Sequence, residues 1–481
     1  MSKDYRVLVN GCEVPVYTCR ISEYPFNRNY PGHQRPLNQS EVVSFVNLVS
    51  DETLEIEVQV RYPYKKVRVK PYSKQVACAA QGEWVTFTLR ENGSYVLEAD
   101  SYHHCLYLFN SKPIPAPDPK EVTYYFGPGV HMPGKITLRD NESLYMDKDA
   151  LVFGGVYANK AENIRVFGNG LLDGGYEARI SPNCYEDYTN GNIKLYDCKN
   201  VQVEGILMRN SAIWCVNLFH CFDVKLHNIH VFGQWRYNTD GVDIVNSQDI
   251  VISDSFIHSF DDTITIKGIC RYAKTDCKRI RVENCVLWCD WGKTCEIGIE
   301  TVCREYADSV FRGCDVLRGG NAAMDIQNGD CAEVHDILFE DIRVEYNAFD
   351  TPEQYQDTDE QIYSRQNEIA TPHLLFLSNR RFQTMDFIKN MGYTEEEVLP
   401  DLGDVHSGDI HDITMRHITV YYDEEIPMTD GKYTVPIRMR SCMPDVRFSS
   451  ITIEDVTVNG TPLTRESMCL DIDDIPNLQI R

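Results

Sequence analysis

Three aspartates stand out by type and spacing in this chain of 481 residues. Asp240 lies in Tyr237-Asn-Thr-Asp-Gly-Val-Asp-Ile, and Asp261 and Asp262 follow one repeat later in Ser259-Phe-Asp-Asp-Thr-Ile-Thr-Ile-Lys-Gly. If these stretches are stacked coils of a parallel array, residues one coil apart sit at about the 4.8 Å strand spacing, and the three carboxylates converge on one patch. Like charges that close cannot all stay ionised, so at least one pKa should rise. A protonated carboxyl beside an ionised one is the arrangement that glycoside hydrolysis uses, one group as acid and the other as base. Two other readings stay open: turn aspartates that cap coils, and three hard oxygen ligands for Ca²⁺, as in a calcium-assisted lyase.

The surrounding elements have to bring these side chains together. From about residue 160 a short phrase recurs, an apolar pair at alternate positions followed by a polar spacer and a further apolar residue. Ile164-Arg-Val, Val201-Gln-Val…Ile206, Val224-Lys-Leu…Ile229, Ile250-Val-Ile…Phe256, Ile280-Arg-Val…Val286, Ile337-Leu-Phe…Ile342 and Ile413-Thr-Met…Ile418 all carry it. Asn or Asp stands before or between the apolar positions, where left-handed turns cost those side chains little. A fixed period of about 20–50 residues marks a solenoid. Stripes of 3.6 period and a Leu-x-x-Leu-x-Leu frame are both absent, so the expected fold is all-β: a right-handed parallel β-helix over 116–481. The phrase breaks at 346–410, a polar insertion with helical character at Thr394-Glu-Glu-Glu-Val, expected to flank one face and to be functional. Residues 1–115 instead alternate in short runs such as Leu54-Glu-Ile-Glu-Val-Gln-Val and Trp84-Val-Thr-Phe-Thr-Leu, the pattern of a small N-terminal antiparallel β-sandwich. The Pro-rich run from Lys112 to Pro119 reads as a stiff linker.

Composition narrows the partners. With 47 Lys and Arg against 72 Asp and Glu the net charge is −25, which repels nucleic-acid backbones and anionic membranes. No run approaches the ~20 apolar residues of a membrane span. The start, Met1-Ser-Lys-Asp-Tyr-Arg, has no apolar core typical of a secretory leader. The 18 cysteines are scattered through apolar runs without a Cys-x-x-Cys pair, so buried free thiols are expected rather than a zinc site or a disulfide framework. Together these features point to the cytoplasm and to a chain needing no metal or cofactor.

Asn238-Thr-Asp-Gly followed by Asp261-Asp262 resembles the signature of glycoside hydrolase family 28, the polygalacturonases and their relatives, and the resemblance spans roughly 120–345. It implies inversion, with Asp261 protonating the leaving oxygen and Asp240 and Asp262 activating water. Gly127-Pro-Gly-Val, the Gly168–Gly174 run and Asn210-Ser211 resemble the early coils of such enzymes. Two motifs depart from the family. Lys293 stands where Gly-His-Gly would place histidine, with Glu296 and Glu300 following on the same face as each other. Asp325 and Gln327, in Ala323-Met-Asp-Ile-Gln-Asn, replace the cations of the Arg-Ile-Lys that holds galacturonate. A uronate needs a cationic clamp, which an Asp would repel. A neutral sugar is therefore expected, with Asp325 and Gln327 hydrogen-bonding vicinal hydroxyls.

Four of the five tryptophans fall between 214 and 291, and such rings stack on sugar faces. Trp235 and Trp291, with polar neighbours, are the expected platforms; Trp214 and Trp288 read equally well as core. Asn238, Lys267, Lys293, Glu296, Glu300, Asp325 and Gln327 complete the expected substrate-binding set, with Arg236, Tyr237, His258 and Asn217 behind them. Lys267 either balances the aspartates or is solvated. The expected activity is hydrolysis of short neutral oligosaccharides, exo-acting and inverting, by a monomer or homo-oligomer. A lyase or fructan-type transferase on the same scaffold, and a non-catalytic carbohydrate-binding solenoid, are the alternatives.

Overall fold

A computed structural model of the protein describes residues 1–26, 35–180, 190–330, 332–356, 358, 368–379, 408–443 and 447–481. Two five-stranded sheets occupy the N-terminal segment. The first contains Tyr5–Val9, Leu54–Val60 and Trp84–Leu89; the second contains Tyr17–Ser22, Ser40–Val49, Val67–Lys70, Gly93–Ala99 and Ser101–Ser111. Leu54, Ile56, Val58 and Val60 all point inward, as period-two alternation requires. They share a core with Val46, Leu97, Leu106 and Leu108 of the second sheet, so the two sheets form a sandwich. The second sheet is buried on its other face as well, where Phe45, Tyr102, Tyr107 and Phe109 pack on Leu207, Phe232, Phe256 and Trp288. A strand covered on both faces loses its alternation, and Ser101–Ser111 is buried almost throughout.

Between Tyr124 and Ile480 the described residues form one 32-stranded sheet wound into a parallel β-helix. Among the described residues the only helices are short 3₁₀ turns. Three ladders of strands make three faces. In the first, Ile164, Val201, Val224, Ile250 and Ile280 stack in register, and each is preceded by a left-handed residue: Asn163, Asn200, Asp223, Asp249 and Arg279, with φ of 59°, 53°, 55°, 60° and 56°. The polar residue before each apolar pair is the corner of its coil. A second ladder, including Phe256–Ser259, Val286–Cys289 and Asp315–Gly319, receives the sandwich.

The third ladder carries the chemistry. Its strands are Ile193–Tyr196, Val216–Phe219, Val242–Val245, Ile264–Gly268, Lys293–Thr301, Ala322–Asn328, His373–Asn379 and Pro436–Ser441. Ile193, Val216, Val242, Ile264, Cys295, Met324, Leu375 and Ile437 align one above another and enter the core. The next residue of each strand faces the other way, which creates the row Lys194, Asn217, Asp243, Thr265, Glu296, Asp325, Phe376, Arg438.

The excursion expected at 346–410 is not continuous. His373–Asn379 lies inside it and pairs with Ala322–Asn328 as an ordinary rung, because Leu375 and Leu377 meet Met324 and Ile326 of the rung before. Thr394 and its neighbours fall outside the described residues. The described cysteines are free thiols, and most are buried.

Candidate active site

Asp240, Asp261 and Asp262 sit in the turns that lead into the third ladder. The turns stack closely: Gly241 N–H donates to Asp262 O at 2.8 Å and Thr263 N–H to Lys293 O at 2.8 Å. A Cβ at Gly241 would come within 2.4 Å of both Ile257 Cγ2 and Thr263 O, so only glycine lets the Asp240 turn lie this close to the next. Two of these carboxyls, Asp240 and Asp262, meet with Asp243 around the Lys267 ammonium. Its Nζ is 3.1 Å from Asp240, 3.2 Å from Asp243 and 3.5 Å from Asp262. Lys267 is therefore not a solvated lysine; its side chain is 4% exposed. Since one ammonium touches both, the Asp240 and Asp262 oxygens lie no farther apart than those two contacts combined.

Asp261 is held from both sides. Asn238 Nδ2 donates to its Oδ2 at 3.2 Å, and its Oδ1 accepts from the Asp262 N–H at 3.1 Å. Arg179 in turn donates to Asn238 Oδ1 at 3.1 Å, which fixes the amide's orientation. Asp262 accepts from the Lys293 N–H at 3.2 Å. Lys293 Nζ lies 3.7 Å from Asp262 and 3.1 Å from Glu296.

These surroundings pull the titrations apart. Burial, together with the charges of Asp240 and Asp262, pushes Asp261 well above the usual carboxylate range. Burial also raises Asp240, to about 6, against the pull of Lys267. For Asp262 burial works upward too, but Lys293, Lys267 and a hydrogen bond from Glu296 outweigh it and hold the group at about 2. Glu296 and Asp243, buried beside other carboxylates, are both raised well above normal. The site thus combines an acid that keeps its proton at Asp261 with a carboxylate that has lost it at Asp262, all but 7% and 8% hidden from solvent.

The remaining expected residues divide. Glu296 and Glu300 both interact with the Lys267 charge, but Glu296 is fully buried. Lys293 is spent on Asp262 and Glu296 and so is not a free cationic contact for substrate. Asp325 is corrected: it is 0% exposed and accepts from Gln327 Nε2 at 3.1 Å, so it orients Gln327 and does not itself meet hydroxyls. Trp291 lies beside the carboxylate turn, stacked on Phe260 at 5.8 Å and 11° with Tyr237 5.8 Å away, and its Nε1–H donates to Glu353 at 3.0 Å. Trp235 is half-buried and lies at the seam with the sandwich. The guanidiniums of Arg20, from the sandwich, and Arg236 lie 5.9 and 5.7 Å from its ring. The Arg236 guanidinium donates to Glu177 O at 2.7 Å. His258 is buried at the same seam, between Tyr107 at 2.8 Å and Asp290 at 3.0 Å. Asn217 accepts from Lys194 at 2.5 Å, and Trp288 is core.

Two residues of the site had escaped sequence reasoning. Asp243 was hidden by its closeness to Asp240, although its alternation parity puts it on the outward row with Glu296. Arg179 lies outside any motif and reaches Asn238 only through the fold.

Residues 121–347 match the family model described as Glycosyl hydrolases family 28. An exopolygalacturonase from Zea mays is 27% identical over 150 residues, 28% of this chain and 35% of that protein. One from Cochliobolus carbonum is 30% identical over 113 residues, 22% of this chain and 25% of that protein. The matches thus span about a third or less of those relatives' length. Among solved structures, Dex49A from Penicillium minioluteum superimposes with a TM-score of 0.55 over 98% of this chain and 92% of that one at 13% identity, which establishes the shared fold. This chain is a parallel β-helix protein that is similar to glycoside hydrolase family 28 over residues 121–347. No described helix is long and apolar enough to cross a membrane.

Proposed function

We propose that the protein is an inverting exo-glycosidase acting on short, neutral oligosaccharides. The observation that carries this reading is the meeting of Asp240, Asp261 and Asp262 in stacked turns beside Lys267 and Lys293, where burial pushes Asp261 up while the two lysines hold Asp262 down. Asp261 protonates the glycosidic oxygen as the bond to the leaving group breaks, and Asp262, with Asp240, takes a proton from the water that attacks the anomeric carbon from the opposite face. Lys267 keeps Asp240 and Asp262 close without forcing either to be neutral. It also fills the place among the carboxylates that a bridging cation would take, which counts against the calcium-lyase alternative.

The shape of the outward row supports exo action. Toward the N-terminal coils it is shut: Lys194 and Asn217 are buried, and Trp214, stacked with Phe219 at 6.3 Å, lies 4.2 Å from Lys267 Nζ. Toward the C-terminal coils it opens, with Phe376 half-buried and Arg438 exposed. A groove closed at one end admits a chain terminus. The neutral substrate is supported by the lack of a free cation on the floor among the described residues, where Asp325 and Gln327 stand in place of a cationic pair and Lys293 is already engaged with Asp262 and Glu296.

A panel of neutral oligosaccharides followed by NMR tests the reading. One terminal unit should be released with its anomeric configuration inverted, and Asp261→Asn should lower kcat by about 10²–10⁴. Cleavage inside a long polymer, a retained anomer, or an Asp261→Asn variant with the unmodified rate would each overturn it.

A further inference from the structure

We propose that a second pocket, one turn beyond the carboxylates at the seam with the sandwich, binds one neutral sugar ring. That its ligand is a sugar rests on the glycosidase reading above. A cavity of about 380 Å³ opens here, walled by Trp291, Asn321, Asp290, Arg318, Asp350 and, from the N-terminal segment, Pro25. That volume is at the lower end of the ~300–1,000 Å³ typical of ligand pockets, room for one or two pyranose rings.

Its position continues the catalytic line. The Gly292 turn lies directly on Asp262, so closely that a Cβ there would be 2.5 Å from Asp262 Oδ1. Asn321 N–H donates to Gly292 O at 2.8 Å. The wall at Gly320 and Asn321 is thus the next turn in the stack that holds Asp240 and then Asp261–Asp262, and Trp291 is the partition between site and pocket.

The lining favours hydroxyl donors. Asp290 is 1% exposed. Its Oδ1 accepts from Trp288 Nε1 at 3.0 Å and from Arg318 at 3.3 Å, whereas Oδ2 is buried with no partner among the described residues. Thr351 Oγ1, also in the wall, is in the same state. A buried carboxylate oxygen without a partner costs ~1–3 kcal/mol or more, and a sugar hydroxyl relieves it. Arg318 is already engaged, its Nε 2.8 Å from Asp350. With Glu353 and Glu368 on the rim as well, a uronate is repelled. The Trp291 ring, fixed by Phe260 and Glu353, presents a rigid apolar surface to sugar C–H groups.

Saturation-transfer NMR with the methyl glycosides of glucose, galactose, xylose and rhamnose, and with methyl galacturonoside as the anionic control, reads occupancy without turnover. At least one neutral glycoside should bind the full chain and also Gln327→Trp, which blocks the catalytic floor. Filling the pocket from its rim with Asn321→Trp or Ala370→Trp should weaken that binding about tenfold. The same two variants should lower kcat/KM for a trisaccharide while sparing an aryl monoglycoside. No neutral glycoside bound, preference for the galacturonoside, or binding lost in Gln327→Trp and untouched by both filling variants would each overturn the proposal. Binding that persists while no glycan is hydrolysed would refute the glycosidase reading and leave the pocket standing.

Discussion

In a Lys267→Met variant, Asp240, Asp243 and Asp262 lose the ammonium that lies 3.1, 3.2 and 3.5 Å from them while remaining buried. Removing one partner of a buried ion pair costs ~3–5 kcal/mol, because an uncompensated charge is left behind. The carboxyls recover part of that by binding protons. Asp262, now at about 2 against an ordinary 3.8, forfeits ~2–3 kcal/mol if it merely returns to normal, at ~1.4 kcal/mol per pH unit. Its depressed value contributes stability that is present above pH 3.8 and lost as pH falls through about 2. Asp240 has the opposite sign: raised to about 6, its contribution is present below pH 3.8 and lost as pH rises through about 6. Without Lys267 its value climbs further, so the penalty of the variant should grow with pH. At ~2 cal/mol/K of melting entropy per residue, 3–5 kcal/mol corresponds to a Tm lowered by ~3–5 °C. Calorimetry at pH 5 and 7.5 should find the larger drop at 7.5, and kcat at neutral pH should fall as Asp240, already at about 6, climbs further and keeps its proton. An equal or smaller Tm loss at pH 7.5, or an unchanged kcat, would refute the account of Lys267 as the group that sets these ionisations.

Three further outcomes follow from the same geometry. The pH profile of kcat/KM should be bell-shaped, its acid limb near 6 where Asp240 ionises and its alkaline limb where Asp261, raised by burial, loses its proton; a profile flat from pH 5 to 7 would remove Asp240 from the mechanism. Lys70, 0% exposed, bridges Glu98 of the sandwich at 3.3 Å and Glu345 of the β-helix at 2.9 Å. Lys70→Met should therefore destabilise by ~3–5 kcal/mol in neutral denaturant titrations, and little change would show that the seam does not hold the two parts together. Oligogalacturonides should bind at least ~10-fold more weakly than neutral oligosaccharides of equal length at low salt, the gap narrowing as salt is raised; calorimetric titration showing tighter uronate binding would contradict the neutral-sugar assignment.

Much of this was legible in the chain. The apolar pairs from Ile164-Arg-Val onward announced the coils, since each coil must bury the same two positions on its neighbour, and the Asn or Asp before them marked corners that few other residues turn cheaply. One period of separation was enough to bring Asp240 onto Asp261–Asp262. Trp291 was readable as a site aromatic from its polar neighbours.

What could not be read depends on depth and on contacts between distant segments. Period-two parity says which way a side chain points, but not what covers it. Glu296 and Asp325 were expected as sugar contacts, yet both are fully buried, against Lys293 and Gln327 respectively. Trp235 has the same polar flanks as Trp291, and only the docking of Arg20 from more than two hundred residues away separates their roles. The ionisation states were equally beyond the sequence, because Lys267 is one lysine among many until the fold withdraws it from water and surrounds it with carboxylates. Local sequence determined the coil, its corners and which acids would meet; burial and the seam with the sandwich, which arise only when the whole chain has packed, decided which of those acids keeps a proton.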